Sequence, residues 1–219
     1  MRTISVQCGP LTAPSATNIR TASAVLAAGA IVLNGSLVSG GTATLDTARQ
    51  VLFTTTADET AKTAVVTGTN WSGNPISETV TLVNNTTKAT VLDYKTVTGI
   101  TVSAALTGNL SVGTNGIAGS AWIQMDPWAM VPVAVQTTVS GTVNYDIEVC
   151  NDDPNDYANP VAAASMNWMN APDSGLVNKA ASALGTIAAP WLWARVILNS
   201  QTNPGYVTAS FTQPSSVPQ

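Results

Sequence analysis

The chain of 219 residues contains no histidine. Histidine is the commonest general base of enzymes and the commonest metal ligand, so its absence removes the usual Ser–His and Cys–His catalytic pairs. Charged residues are scarce as well, at 9% of the chain against about a quarter in an average globular domain. Only 8 residues are basic and the net charge is −4. Because nucleic-acid binding needs a concentration of basic side chains, this composition argues against it.

Cysteine and long apolar runs are also scarce. The two cysteines, Cys8 and Cys150, form neither a C-x-x-C motif nor a disulfide framework. We interpret both as free thiols, and a single bridge between them is the alternative. The apolar stretch 22–33 lacks the basic flank of a signal peptide, and its 12 residues are too few to cross a bilayer. We expect a buried strand or arm there, no membrane contact, and assembly in a cytoplasm.

What the chain does contain is a β pattern. Apolar residues make up 45% of it, which together with the low net charge is typical of a folded protein. Alternation with period two recurs at short intervals, and Gly, Asn and Pro separate the segments. In the first half this pattern predicts strands at 30–38, 42–54, 62–69, 76–83, 89–94, 97–103 and 109–113.

The second half repeats this pattern. Residues 143–149 alternate strictly between apolar and polar, and 191–198 with 205–211 are predicted as a hairpin. A short helix is expected around 161–169. The fold class is therefore all-β, with antiparallel β-sandwich or jelly-roll units, two in tandem. The expected domains are an extended arm at 1–20, β-sandwiches at 21–120 and 121–211, and a tail at 212–219.

Two acidic groups could carry chemistry. Asp146 and Glu148 lie on one face of a predicted strand, about 7 Å apart, a spacing within the range of glycosidase carboxylate pairs. The strict alternation around them favours a solvated face instead. The run 151–156 supplies oxygens like a calcium loop, but Asp156 replaces its glycine and Ala162 its glutamate, which favours a polar turn. Since no phosphate-binding loop or nucleophile elbow occurs either, we predict no enzyme activity, cofactor or metal.

Tryptophan and methionine outside the predicted strands are the best candidates for contacts with partners, because both are enriched in protein interfaces. Loops that fold over their own core are the competing interpretation, and a tryptophan platform for sugars is a third. The candidates for the interface lie in two irregular segments of the second half: Trp122, Trp128, Met166, Trp168 and Met169.

The first half contains four Thr- and Gly-rich segments in succession. They are L-N-G-S-L-V-S-G-G-T-A-T-L-D-T-A-R-Q-V (33–51), V-V-T-G-T-N-W-S-G-N-P-I-S-E-T-V (65–80), L-D-Y-K-T-V-T-G-I-T-V (92–102) and L-S-V-G-T-N-G (110–116). In this order they resemble a recurrent class of tailed-bacteriophage virion proteins, over roughly residues 10–126. The strand R-V-I-L-N-S (195–200) resembles that class more faintly.

The resemblance implies a structural component of the virion and supplies no catalytic residues. Some members resemble capsid decoration, or cement, proteins. We therefore expect a homo-oligomer, as a trimer, that binds the major capsid protein on the outer capsid surface and stabilises the head. A tail, neck or head-fibre component is the alternative within the class. A carbohydrate-binding module that contacts host glycans is the alternative from another class.

Overall fold

The computed structural model describes residues 2–126, 131–188 and 191–213. These residues form antiparallel β-structure with two short 3₁₀ turns and no α-helix, so the predicted all-β fold class is confirmed. None of the helical turns in these ranges is long or apolar enough to span a membrane. The strands are β1 Arg2–Cys8, β2 Ser15–Ala24, β3 Gly29–Ala30, β4 Val38–Ser39, β5 Thr42–Thr55, β6 Thr63–Thr69, β7 Pro75–Thr81, β8 Thr87–Val102, β9 Asn109–Gly119, β10 Ile123–Gln124, β11 Val133–Cys150, β12 Met169–Asn170, β13 Leu184–Ile187 and β14 Trp193–Gln213.

The chain divides into two compact units. The N-terminal unit is Thr12–Gly116, and the C-terminal unit combines Met1–Leu11 with Ile117–Gln219. This division differs from the expected boundaries at 21–120 and 121–211. The expected arm at 1–20 is extended, but it is not separate from the fold, because β1 pairs with β14 and β2 pairs with β9. Residues 212 and 213 of the expected tail belong to β14, and 214–219 lie outside the described residues.

In the N-terminal unit the strand order is β9-β5-β8-β6-β7, with β2 beside β9, β3 beside β8 and β4 beside β5. The strands predicted at 62–69 and 76–83 are present and form a hairpin around Asn70–Pro75, because β6 pairs with β7 from Thr63↔Thr81 to Thr69↔Pro75. Apolar residues at alternate strand positions, such as Val51, Phe53 and Val66, form the core of the N-terminal unit. The stretch 22–33 is not a buried strand, since Leu26 and Val32 are 86% and 75% exposed.

In the C-terminal unit β11 and β14 pair along most of their lengths. The predicted hairpin of 191–198 with 205–211 is wrong, because both segments belong to the single strand β14. The reason is a bulge in the pairing at Gly141 and Gly205, where the register between β11 and β14 shifts while both strands continue. A Cβ atom on Gly205 would lie 2.6 Å from the Thr142 carbonyl oxygen, so only glycine lets the backbones approach here. The expected helix at 161–169 is a single 3₁₀ turn, Ala163–Ser165.

A buried guanidinium joins the two ends of the N-terminal unit. The fully buried Arg49 donates from Nη1 to the Thr12 carbonyl oxygen at 3.2 Å and from Nη2 to the Asn115 carbonyl oxygen at 2.5 Å. Its Nη1 also lies 3.3 Å from the Asp46 carboxylate. Burial opposes ionisation of Asp46, but the Thr12 N–H and the Arg49 charge outweigh it and lower the pKa of this carboxyl. One side chain thus holds the first and the penultimate residues of the unit together.

We predict that Arg49→Met destabilises the N-terminal unit by about 3–5 kcal/mol, because it leaves a carboxylate and two carbonyl groups without their buried donor. Urea unfolding followed by circular dichroism measures the change. Arg2→Met is the matched control, since Arg2 is exposed. Equal unfolding midpoints for the two variants would show that the contacts of the Arg49 guanidinium do not stabilise the N-terminal unit.

A tryptophan cluster as candidate interface

Strand alternation places three tryptophans on one face of the C-terminal unit. Ile123 pairs with Ala194, so Trp122 lies on the same side of its sheet as Arg195. Trp193 is two residues from Arg195 and shares that side. Asn170 pairs with Glu148, and Glu148 pairs with Arg195, which brings Trp168 to the same side. Because the intervening residues Ala194 and Val196 are fully buried, this side is the outer face.

The three rings contact one another. The ring centroids of Trp122 and Trp168 are 5.3 Å apart and tilted by 54°, and those of Trp122 and Trp193 are 6.1 Å apart in an edge-to-face arrangement. Aromatic pairs with these separations contribute about 0.5–1.5 kcal/mol beyond the burial of their area. All three tryptophans are partly exposed. The cluster is therefore an ordered aromatic surface that a partner can reach.

One cation is fixed on this surface. The Arg195 guanidinium carbon lies 4.3 Å from the Trp168 ring centroid, within the range of cation–π attraction. Its Nε donates to Glu148 Oε2 at 2.8 Å, and both side chains are less than a fifth exposed. Trp168, Arg195 and Glu148 therefore hold one another in a single geometry. We call Trp122, Trp168, Trp193, Arg195 and Glu148 the tryptophan cluster.

The structure divides the five interface candidates. It brings Trp122 and Trp168 together in the cluster, and Trp128 lies outside the described residues. Met169 is 45% exposed, but alternation places it on the opposite side of β12 from Trp168. Met166 is only 9% exposed, so little of it is available to a partner. Sequence reasoning missed Trp193 and Arg195, although their two-residue spacing on a strand could have indicated a shared face.

Polar side chains continue the outer face beside the cluster. Asn199 Nδ2 donates to Asp146 Oδ2 at 2.7 Å and to Asn144 Oδ1 at 3.0 Å. The backbone N–H of Asn178 donates to Asp146 Oδ1. Asp146 is thus bonded within the fold, and Glu148 is paired with Arg195. The two carboxylates considered for hydrolysis are both engaged in structural contacts.

The acidic turn after β11 also bonds to its own backbone. Asp153 accepts from the Asn155 amide at 2.9 Å, and Asp156 accepts from the amides of Ala158 and Asn159 at 2.7 and 2.8 Å. Those amides lower the pKa of Asp156. No group of three or more Cys, Asp or Glu residues in the described ranges could hold a metal ion. The contacts fit the polar turn that the sequence favoured.

The two thiols do not contribute to a surface site. Cys8 and Cys150 are fully buried and are not joined in a disulfide, which agrees with the interpretation of both as thiols. Burial raises the pKa of Cys150, so the reactive thiolate form is disfavoured.

We predict a measurable coupling between Trp168 and Arg195. In a double-mutant cycle with Trp168→Ala and Arg195→Ala, the coupling energy should be about 0.5–2 kcal/mol, because the cation–π contact is partly desolvated. Urea unfolding measures it. A second cycle that pairs Trp71→Ala with Arg195→Ala is the control, since Trp71 belongs to the N-terminal unit. Additive effects in the first cycle would refute the contact.

Comparison with known proteins adds no family to this geometry. No protein-family model, curated protein sequence or solved structure matches the chain.

Proposed function

We propose that the protein is a structural component of a tailed-bacteriophage virion. In this proposal it decorates the outer capsid surface, binds the major capsid protein, forms a homotrimer and stabilises the head without catalysing a reaction. The four segments that resemble the phage class support the proposal by their positions. Residues 33–51 run through β4 into β5, 65–80 form most of the β6–β7 hairpin, 92–102 are the end of β8, and 110–116 lie in β9. All four segments therefore lie within the same compact unit, the N-terminal unit.

The observation that carries the contact with the capsid is the tryptophan cluster. Tryptophan and arginine dominate the binding energy of protein interfaces, especially where neighbouring contacts hold them rigid. Here ring contacts fix Trp122 and Trp193, and the Glu148 ion pair fixes Arg195 against Trp168. Little conformational entropy is then lost on binding. We assign the capsid contact to this surface.

The experiment that tests the virion proposal is a copy count in purified particles by quantitative mass analysis. We expect hundreds of copies, comparable with the major capsid protein, because a decoration protein occupies equivalent sites over the whole shell. A count of about six or twelve would instead place the protein in the tail or neck. Absence from purified particles would refute the virion proposal itself.

The capsid contact has its own test. Trp168→Ala should lower binding to particles assembled without the protein by about a hundredfold, since it removes a hot-spot ring worth roughly 2–4 kcal/mol. Co-sedimentation of purified variant with particles measures the affinity. Trp71→Ala is the matched control. Unchanged binding by the Trp168 variant, with its fold intact by circular dichroism, would move the contact elsewhere.

A carbohydrate-binding module remains the second candidate, and one observation favours it. Trp168 is partly exposed on the same outer face as the amides of Asn144 and Asn199 and the carboxylate of Asp146. Aromatic rings beside planar polar groups can bind the apolar face and the hydroxyls of a sugar together. Saturable binding to a glycan, lost in Trp168→Ala and absent with empty capsids, would favour this module over decoration.

A further inference from the structure

The N-terminal unit has an uncharged sheet face opposite its core. Register fixes the rows: Ala30 lies beside Thr101, Thr101 beside Val65, and Val65 beside Thr79. We call the outward side of β3, β6, β7 and residues 96–102 of β8 the N face; Asp93 and Lys95 lie farther along β8 and are not part of it. It includes Ala30, Val32, Val65, Thr67, Thr79 and Thr101. The only charged residue of β6 and β7, Glu78, accepts from the Val91 and Leu92 amides of β8 instead.

The C-terminal unit has a matching face. Ser5 lies beside Ser210, Ser210 beside Gln136, and Gln136 beside Leu184. Hydroxyl groups link neighbouring strands, with Oγ atoms 2.7 Å apart between Ser5 and Ser210. We call the outward side of β1, β13, residues 133–140 of β11 and residues 206–213 of β14 the C face. It includes Thr3, Ser5, Gln136, Leu184, Ser210 and Thr212. Like the N face, it has four strands and short, uncharged side chains.

Each face also exposes an aliphatic side chain on its edge strand or directly after it. Val32, which follows β3, is 75% exposed, and Leu184 on β13 is 78% exposed. These are among the most exposed large apolar residues in the described part of the chain. A face with an apolar edge and small hydroxyl side chains can pack closely on the face of a second sheet. Two sheets approach to about 10 Å when no long side chain separates them.

Charge distinguishes the two units. The N-terminal unit holds five basic and five acidic residues, whereas the C-terminal unit holds three basic and seven acidic residues, which accounts for the whole net charge of −4. Two C-terminal units would therefore repel each other, and an N-terminal unit beside a C-terminal unit would not. A contact between two N faces is also free of repulsion, but it would leave both C faces and both Leu184 side chains uncovered.

We propose that the N face of one copy of this chain packs on the C face of the next copy. Such a contact joins two different surfaces, so it closes into a ring when the rotation allows it. It covers Val32 and Leu184 on every copy of the ring. The inference rests on the self-association in the proposed function and does not depend on the capsid partner.

The area of the two faces determines how strongly one N face is expected to bind one C face. Four strands about 4.8 Å apart and three rows of outward residues give a footprint of roughly 400 Å² per face, about half of what a stable interface buries per partner. A single contact is therefore weak. In a ring each copy uses both faces, and closing the ring makes the last contact intramolecular. We expect concentration-dependent association into a closed trimer with little dimer.

A charge exchange tests the pairing of the faces. Thr101 and Gln136 lie in the middle rows of the N and C faces, and both are exposed. Thr101→Lys and Gln136→Glu should each weaken association by about tenfold or more, because each places an unpaired charge against a neutral face. The double variant should return to within about threefold of the original, since each lysine then meets a glutamate of the next copy. Sedimentation velocity over a concentration series measures the association constant of the original chain, of each single variant and of the double variant.

Thr87→Lys is the matched control, because Thr87 is exposed at the start of β8 and that end of the strand pairs with β5 rather than β6. We expect it to associate like the original chain. A double variant that stays as dissociated as the single variants would overturn the pairing of unlike faces. An original chain that sediments as a monomer at every concentration would overturn the inference as well, while the copy count in particles would still decide the virion proposal.

Discussion

The antiparallel pairing of β11 with β14 determines the surfaces of the C-terminal unit. The two strands pair on both sides of the bulge at Gly141 and Gly205. Before the bulge, the outward residues of β11 belong to the uncharged C face. After it, Glu148 and its partner Arg195 lie in the tryptophan cluster. Because side chains alternate with period two, a slip of one residue would exchange the core with both surfaces. The pairing of these two strands therefore fixes both surfaces, although its register shifts between Ser140 and Thr142 and between Asn144 and Tyr145.

The N-terminal unit depends on a different constraint, the burial of the Arg49 guanidinium. A guanidinium removed from solvent is stable only when its donors are satisfied by well-placed acceptors. Arg49 finds carbonyl groups on Thr12 and Asn115, which are distant in sequence. Lysine could not serve both, because its single nitrogen lacks the planar fork. The Arg49 guanidinium thus holds the first segment of the unit, at Thr12, next to the last segment, at Asn115.

The sequence was sufficient to predict the fold class and much of the first half. Alternation located the β6–β7 hairpin, since each strand there is short and lies between clear turn residues. It failed at β14, where Asn203, Pro204 and Gly205 look like a hairpin loop but lie inside one strand, at the bulge opposite Gly141. The arm at 1–20 was misjudged although its sequence contains a strand signal. In β1, Ile4, Val6 and Cys8 alternate with Thr3, Ser5 and Gln7, and the apolar residues pack on the core.

The candidate site could be predicted only in part, because its members come from four different segments. Trp122 and Trp168 were recognisable as aromatic residues in irregular segments. Their contact with Trp193 and Arg195 depends on which strands are neighbours, and single-sequence periodicity does not contain that information. The partner of Arg195, Glu148, had been considered as half of a catalytic pair. Its position opposite the cation gives it a structural role that only the register reveals.

The distribution of charge links the two proposed contacts. Most of the charge of the C-terminal unit lies with the tryptophan cluster and the acidic turn 151–156, which follow the bulge in β11, whereas the C face before the bulge has no charge. A surface used between identical copies must avoid like charges, because every charge on it is repeated on the neighbour. A surface used for a different partner has no such restriction, and a fixed cation such as Arg195 can then select that partner. The bulge at Gly141 and Gly205 lies between the two kinds of surface on one pair of strands.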